Sequence, residues 1–216
     1  MEKKKEKKKI SSASIRRISF YYRTLCLLER KGVKNVTSID LAEIGGRYSA
    51  IVRKDLSSFG YFGVRGVGYD VVKLRQELAN ILGLNKKWNL VVIGSRPYSE
   101  VLVNSESLRE SNFRIKKIYE KDIGNIQNNA DSIEVLNIDR MEETLDPEED
   151  SIVIIALPPP EVQAVIDRLG KIGMKAVLYL ASRSVKVPKG MVVINQDITI
   201  ELGMLTYRLK EKEKVS

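Results

Sequence analysis

Two places in this chain carry residue types whose spacing suits chemistry. Between Gly46 and Gly66, hydroxyls and cations recur at helical spacing: Ser49, then Arg53, Lys54 and Ser57, with Arg65 following inside a glycine-rich stretch. Such side chains read double-stranded DNA, because their N–H and O–H groups donate to base edges while neighbouring cations hold phosphates. Ser49 at a helix start would also turn backbone N–H groups toward a phosphate. The second place is Gly94-Ser95-Arg96-Pro97-Tyr98-Ser99, directly after the apolar run Leu90–Ile93. A strand, such a turn and then a helix form the phosphate-cradling unit of dinucleotide-binding domains. Glycines normally occupy the positions of Gly94, Arg96 and Ser99 there, for the tight turn, the backbone approach to the pyrophosphate, and close helix–strand packing. Glu120, at the end of the next apolar run, is placed to accept from an adenosine ribose hydroxyl.

What is missing narrows the chemistry further. The 216 residues include no histidine and one cysteine, Cys26. Imidazole acid–base catalysis, a zinc finger and an intramolecular disulfide are thereby excluded, and no metal site is expected. No apolar run reaches membrane-spanning length and the N-terminus lacks the apolar core of a secretory signal, so a cytoplasmic protein is expected.

The elements that must position these residues follow from periodicity. Ile15, Ile18, Tyr22, Leu25 and Leu28 predict an amphipathic helix over 13–31, ended by Gly32. A short helix over 38–44 with Ser38 as N-cap comes next, broken by Gly45-Gly46. A second, over 50–59 and capped by Ser49, buries Ile51 and Leu56 and leaves Arg53, Lys54 and Ser57 outside. Helix, glycine turn, helix is the helix-turn-helix layout. The alternating glycines and apolar residues of 60–69 predict a β-hairpin with Arg65 near its tip, a wing beside the helices. A helix over 70–82 ends at Gly83, and Asn85-Lys86-Lys87 reads as a linker.

From Trp88 onward, apolar runs alternate with helical patterns: strands at 90–93, 115–119, 133–138, 152–157, 176–180 and 192–194, with helices over 98–109 and 160–171. This predicts an α/β fold, a Rossmann-like doubly wound parallel sheet. The acidic stretch 142–150 is expected on the surface without a functional role. A last amphipathic helix over 200–210 carries Leu202, Leu205 and Leu209, which suit either its own sheet or a partner subunit. The expected divisions are a disordered basic tail (1–9), a winged-helix DNA-binding domain (10–84), a Rossmann-like domain (85–198), and a C-terminal helix and tail (199–216).

Charge separates along the same lines. Residues 1–87 hold 20 Lys and Arg against 8 Asp and Glu, a net +12, whereas 88–216 are net −3. Without the tail, residues 10–87 keep a net +8. A basic segment joined to a weakly acidic one suggests a part that meets nucleic acid and a part that does something else.

The run Arg53-Lys-Asp-Leu-Ser-Ser-Phe-Gly60, followed by Gly63-Val-Arg-Gly-Val-Gly-Tyr-Asp70, closely resembles the Rex family of redox-sensing transcriptional repressors. The segments Ile15-Arg-Arg-Ile-Ser-Phe-Tyr-Tyr-Arg23, Leu82-Gly-Leu-Asn-Lys-Lys-Trp88 and Asp197-Ile-Thr-Ile-Glu-Leu202 resemble it as well, so the likeness spans almost the whole chain. The resemblance implies a homodimer with swapped C-terminal helices, a Rossmann domain binding NADH or NAD+, and repression from palindromic operators that ends when NADH rises. It puts Ser49, Arg53, Lys54, Ser57 and Arg65 on the DNA-reading helix and wing. Gly94, Ser95, Arg96, Ser99 and Glu120 fall at the dinucleotide, and Arg23 with Asp197 form an interdomain switch pair across the dimer. The chain departs from the family at Ser58, where tyrosine is usual, and at Val64, where lysine is usual. It departs again at Arg96 and Ser99 in the glycine loop, and at Ser105, where a tyrosine near the nicotinamide is usual. A side chain at Arg96 narrows the approach to the pyrophosphate, which predicts weakened NAD(H) binding. A regulator that has lost dinucleotide sensing is the alternative. A nicotinamide-dependent oxidoreductase fits less well, for the chain offers no histidine, no Lys–Tyr pair and no substrate domain.

Overall fold

The computed structural model describes residues 10–46, 48–121 and 133–213; the expected basic tail over 1–9 lies outside them. The chain divides into two compact units, one through Lys86 and one from Lys87.

In the first unit, helix α1 (Ser12–Arg30) starts at Ser11, whose hydroxyl accepts from the Ser14 N–H. It buries Ile18, Tyr21, Thr24 and Leu25. Ile15 stays largely exposed and Tyr22 is only partly buried, so the buried stripe runs through Tyr21 rather than Tyr22. A two-residue strand, β1 (Asn35–Val36), precedes α2 (Ser38–Ile44). The N-cap of α2 is Thr37, not Ser38: its hydroxyl accepts from the Ile39 and Asp40 N–H groups, and the Asp40 carboxylate accepts from the Thr37 N–H. This reciprocal box satisfies donors that a helix start otherwise leaves open. Helix α3 (Ser49–Ser57) has Tyr48 at its N-cap with no side-chain cap bond, so Ser49 is its first residue and not its cap. Its buried face is Val52, Asp55 and Leu56, and Ile51 points outward; Val52 and Leu56 stand one turn apart and share the core.

Strands β2 (Gly63–Val64) and β3 (Gly68–Asp70) form the expected hairpin, and β1 joins β3 antiparallel on its other side. Gly68 makes this closure possible. Its φ is +96, and a Cβ there would stand 2.6 Å from the Val36 carbonyl oxygen, a separation no side chain tolerates. Asp70 then caps α4 (Val71–Leu82), accepting from the Lys73 N–H. Ile18, Tyr21, Leu25, Leu41, Val52, Leu56, Leu74 and Leu78 make one core, in which each large aliphatic side chain contributes about 1.5–3 kcal/mol.

The second unit runs β4 (Trp88–Gly94), α5 (Arg96–Val103), α6 (Glu106–Arg109), β5 (Phe113–Glu120), β6 (Glu134–Asn137), α7 (Met141–Thr144), β7 (Ile152–Ala156), α8 (Pro159–Ile172), β8 (Ala176–Tyr179), β9 (Val192–Asn195) and α9 (Ile198–Glu213). The sheet order is β6-β5-β4-β7-β8-β9, every pair parallel. Chain order therefore reverses at the β4–β7 pair, where an open parallel sheet has its crevice. Near-continuous apolar strands such as Ile152–Ala156 suit a sheet buried on both faces.

Two expectations in this unit are corrected and one open alternative is narrowed. The single helix expected over 98–109 is two, because Ser105 takes an extended backbone and interrupts the ladder. The acidic stretch is not all surface: Asp150 is buried and its carboxylate accepts from Lys117 Nζ at 2.8 Å and from the Asp146 N–H at 3.0 Å, tying β5 to the loop before β7. Finally, none of the residues of α9 is buried, so its apolar stripe is not covered by its own unit. Among the described residues, no helix is long and apolar enough to cross a membrane.

Candidate functional site

In the first unit the structure gathers the sequence-predicted DNA-reading residues around a groove of about 510 Å³ between α3 and the β2–β3 hairpin. Arg53, Ser57 and Arg65 line it, joined by Thr37, Ser38 and Tyr61. Arg53 is held in place by hydroxyls from two helices, its Nη1 donating to Ser38 Oγ and Ser49 Oγ at 3.2 Å each. Thus Ser49, expected to cap, instead orients the guanidinium one turn on. Lys54 is exposed on α3, and Ser57 Oγ donates to the Lys54 carbonyl at 3.0 Å. Arg65 stands in the hairpin turn closed by the Val67 N–H donating to the Val64 carbonyl.

Sequence reasoning missed what anchors α3. Asp55, 3% exposed, accepts from both Nε and Nη2 of Arg17 on α1 and from Tyr21 Oη at 3.2 Å. A bidentate guanidinium–carboxylate pair fixes orientation as well as distance. The carboxylate in turn holds the Arg17 guanidinium firmly protonated, its pKa raised chiefly by that hydrogen bond. The polar Asp55 between apolar Val52 and Leu56 was the available signal.

In the second unit, Gly94 ends β4, Ser95 is the N-cap of α5, and Arg96 is its first residue. These three, with Glu120 and the unforeseen Lys121, Leu157, Pro158 and Glu161, line a cavity of about 460 Å³ at the switch between β4 and β7. Lys121 and Glu161 are paired across it. Lys121 directly follows β5, whereas Leu157, Pro158 and Glu161 come from the turn after β7 and the start of α8, which become neighbours only once strand order is known. Gly94 permits the sheet to close: a Cβ there would be 2.9 Å from the Ala156 carbonyl oxygen. Ser99 stands behind the cavity, 2% exposed, its hydroxyl shared between the Ser95 carbonyl at 3.4 Å and the Glu120 carboxylate. Glu120 itself is 5% exposed at the end of β5, not a surface residue. Burial pushes its carboxyl above the usual range, partly offset by the Ser99 hydroxyl and the Arg96 charge. Arg96 Nε donates to Glu100 Oε1 at 3.1 Å along α5, so part of the guanidinium is drawn away from the turn while the residue still borders the cavity.

Arg23 is exposed on α1. Asp197, just before α9, accepts at Oδ1 from Ser182 Oγ and from the Thr199 N–H and Oγ1, bonds that hold its carboxyl below the usual range. It lines a second hollow of about 360 Å³ with Tyr98, Ser182 and Ile198. Arg23 and Asp197 belong to different units.

Comparison with known proteins agrees in both units. Residues 9–57 match the family described as "Putative DNA-binding protein N-terminus", and residues 85–182 match the CoA binding domain family. The chain is 41% identical to the redox-sensing transcriptional repressor Rex of Carboxydothermus hydrogenoformans over 94% of its own length and 97% of that protein. It is 37% identical to the Rex of Desulforamulus reducens over 95% and 98%. The chain belongs to the Rex family. Among solved structures, this Rex-family chain resembles RSP, a Rex-family repressor. Against RSP in complex with β-NAD+ and operator DNA the TM-score is 0.82 at 31% identity, over 96% of each chain. Against RSP with β-NADH it is 0.82 at 30%, over 96% of this chain and 98% of that one. The fold class expected from sequence, a winged helix followed by a Rossmann-like sheet, is the fold of these Rex repressors.

Proposed function

We propose that this chain is a DNA-binding transcriptional repressor that senses the NADH/NAD+ ratio, acting as a homodimer on a palindromic operator and leaving it when NADH binds. It catalyses no reaction. The observation that carries the reading is the presence, in one chain 41% identical to a Rex repressor, of a cation-lined groove beside an exposed helix and a cavity at the sheet's switch point.

In this reading α3 enters the major groove, with Arg53 and Lys54 donating to bases or phosphates and Ser49 and Ser38 fixing the Arg53 guanidinium. Arg65 on the hairpin and Ser57 add contacts at the groove's rim. The residues at the second site fit a dinucleotide. The backbone at Gly94 and Ser95 opens onto the cavity, and the buried Glu120 offers a carboxylate to a ribose hydroxyl. When bound, NAD(H) reports the redox state through the charge and planarity of its nicotinamide ring. Lys121 adds positive charge at the cavity, whereas the Arg96 side chain narrows the approach to the pyrophosphate. Asp197, bordering the second hollow, is the acceptor that meets the partner's Arg23 in one ligand state, so the pair links ligand to the spacing of two α3 helices. The exposed stripe Leu202, Leu205 and Leu209 of α9 supplies the dimer contact. Cytoplasmic location follows from this role.

Titration of a labelled palindromic operator with the purified protein, alone and with NADH or NAD+, tests the reading. NADH should release the DNA and NAD+ should not. Arg53→Ala and Arg65→Ala should weaken binding, each flattening the dependence of log K on log salt by about 0.9 per lost phosphate contact. Parent-like operator binding by both variants would remove α3 and the hairpin from the interface. Operator binding that ignores NADH would identify a regulator without dinucleotide sensing, the reading that Arg96 and Ser99 favour.

A further inference from the structure

Tyr61 stands out on the groove between α3 and the β2–β3 hairpin. Its flanking aromatics, Phe62 and Tyr69, pack against the core of the first unit, whereas Tyr61 is 104% exposed. Its side chain therefore makes no packing contact and its hydroxyl is open to solvent. Yet it borders the groove together with Ser38, Arg53, Ser57 and Arg65, each of which carries a donor. The groove has cations on both walls, Arg53 from α3 and Arg65 from the hairpin, within a segment of net +8, so its occupant is an anion. If α3 lies in the major groove, the feature running alongside it is the sugar–phosphate rail of one strand.

We propose that Tyr61 is a DNA-binding residue that clamps this rail: its hydroxyl donates to a phosphate oxygen and its ring lies against the adjoining deoxyribose. The inference rests on the DNA-binding function proposed above. The contact is non-ionic, which separates it from those of Arg53 and Arg65. An uncharged donor releases no condensed counterion, so its loss lowers affinity without changing the salt slope. A phosphate also carries no sequence information, so the loss is shared between operator and unrelated DNA.

The test uses the full-length protein and fluorescence anisotropy with labelled operator and a scrambled duplex, across a salt series. Tyr61→Phe should weaken binding to both duplexes by about three- to tenfold, and Tyr61→Ala by more, with the salt slope of the parent retained. Arg53→Ala serves as the control, with its reduced slope. Methylphosphonate replacement of single operator phosphates should reveal one position at which the parent loses affinity and Tyr61→Phe loses nothing further. Parent-like binding by Tyr61→Phe would overturn the proposal, as would a flattened salt slope or a loss confined to the operator. Failure of the parent to bind any DNA would instead defeat the DNA-binding reading itself.

Discussion

Replacing Asp55 with alanine should damage DNA binding without removing any group that DNA can touch. The carboxylate is 3% exposed and faces α1, accepting two bonds from Arg17 and one from Tyr21. Its removal takes both carboxylate bonds from the Arg17 guanidinium, which keeps Ser14 Oγ at 3.0 Å, and removes the acceptor at 3.2 Å from Tyr21 Oη. Breaking a buried ion pair from one side costs about 3–5 kcal/mol. Arg17 keeps 22% of its side chain exposed, so water recovers part of that charge and the lower end, about 3 kcal/mol, is expected. For a domain of this size each kcal/mol shifts Tm by about 4–8 °C, giving a fall of roughly 12–24 °C. Tyr21→Phe, which loses the hydroxyl's bond to Asp55, should fall by about 4–8 °C for its ~1 kcal/mol. Calorimetry resolves the transition of the first unit, since a two-unit chain need not melt in one step. Operator affinity measured well below that transition should drop as well, because the bidentate bond sets the angle at which α3 leaves α1. An Asp55→Ala protein that melts within about 3 °C of the parent and binds operator equally well would refute the anchoring role.

Other outcomes follow from the second unit. Deleting residues 198–216 removes the uncovered stripe of Leu202, Leu205 and Leu209 and should yield monomer in sedimentation; a truncated chain that remains dimeric would place the interface elsewhere. Arg96→Gly together with Ser99→Gly should tighten NADH binding by calorimetry. The Ser99 change also frees the Glu120 carboxylate and adds a helical glycine costing about 1 kcal/mol, so the single Arg96→Gly variant should show the clearer gain. Weaker NADH binding by Arg96→Gly would mean that the guanidinium itself holds a phosphate. Glu120→Gln should raise the thermal stability of the second unit at neutral pH while lowering NADH affinity. Burial raises this carboxyl's pKa on folding, so the folded chain binds more protons than the unfolded one. Stability from this group is present below the unfolded pKa and falls as pH rises through the folded one, a pH dependence the glutamine variant should lack.

Much of this was legible because long periodic segments dominate: α1, α4, α8 and the apolar strands β4, β5 and β7 lie within a few residues of where alternation put them. Short or shared features were not. A two-residue strand such as β1 has no period to detect, and it exists only because Gly68 lets β3 approach the Val36 carbonyl. Thr37 and Ser38 are adjacent hydroxyls, and only the Asp40 carboxylate, three residues beyond Thr37, chooses between them. Ile51 and Val52 are likewise adjacent, and packing in the core of the first unit selects Val52. At the nucleotide site, Gly94, Ser95, Arg96, Ser99 and Glu120 could be named from one βα unit and its following strand. Leu157, Pro158 and Glu161 come from a turn and helix start over thirty residues past Glu120 in the chain and reach the cavity through the β4–β7 pairing, which no local pattern encodes.

The 2.9 Å between a hypothetical Gly94 Cβ and the Ala156 carbonyl oxygen bears on how such loops age. That glycine is required by two strands of its own sheet, whatever lies in the cavity. The positions of Arg96 and Ser99 answer to the ligand and to helix packing, and both have already accepted side chains. A lineage drifting away from its nucleotide would therefore keep the first glycine to the end and surrender the other two first. In this fold, then, the leading glycine of the loop is a record of sheet architecture, and the history of the ligand is written two and five residues further on.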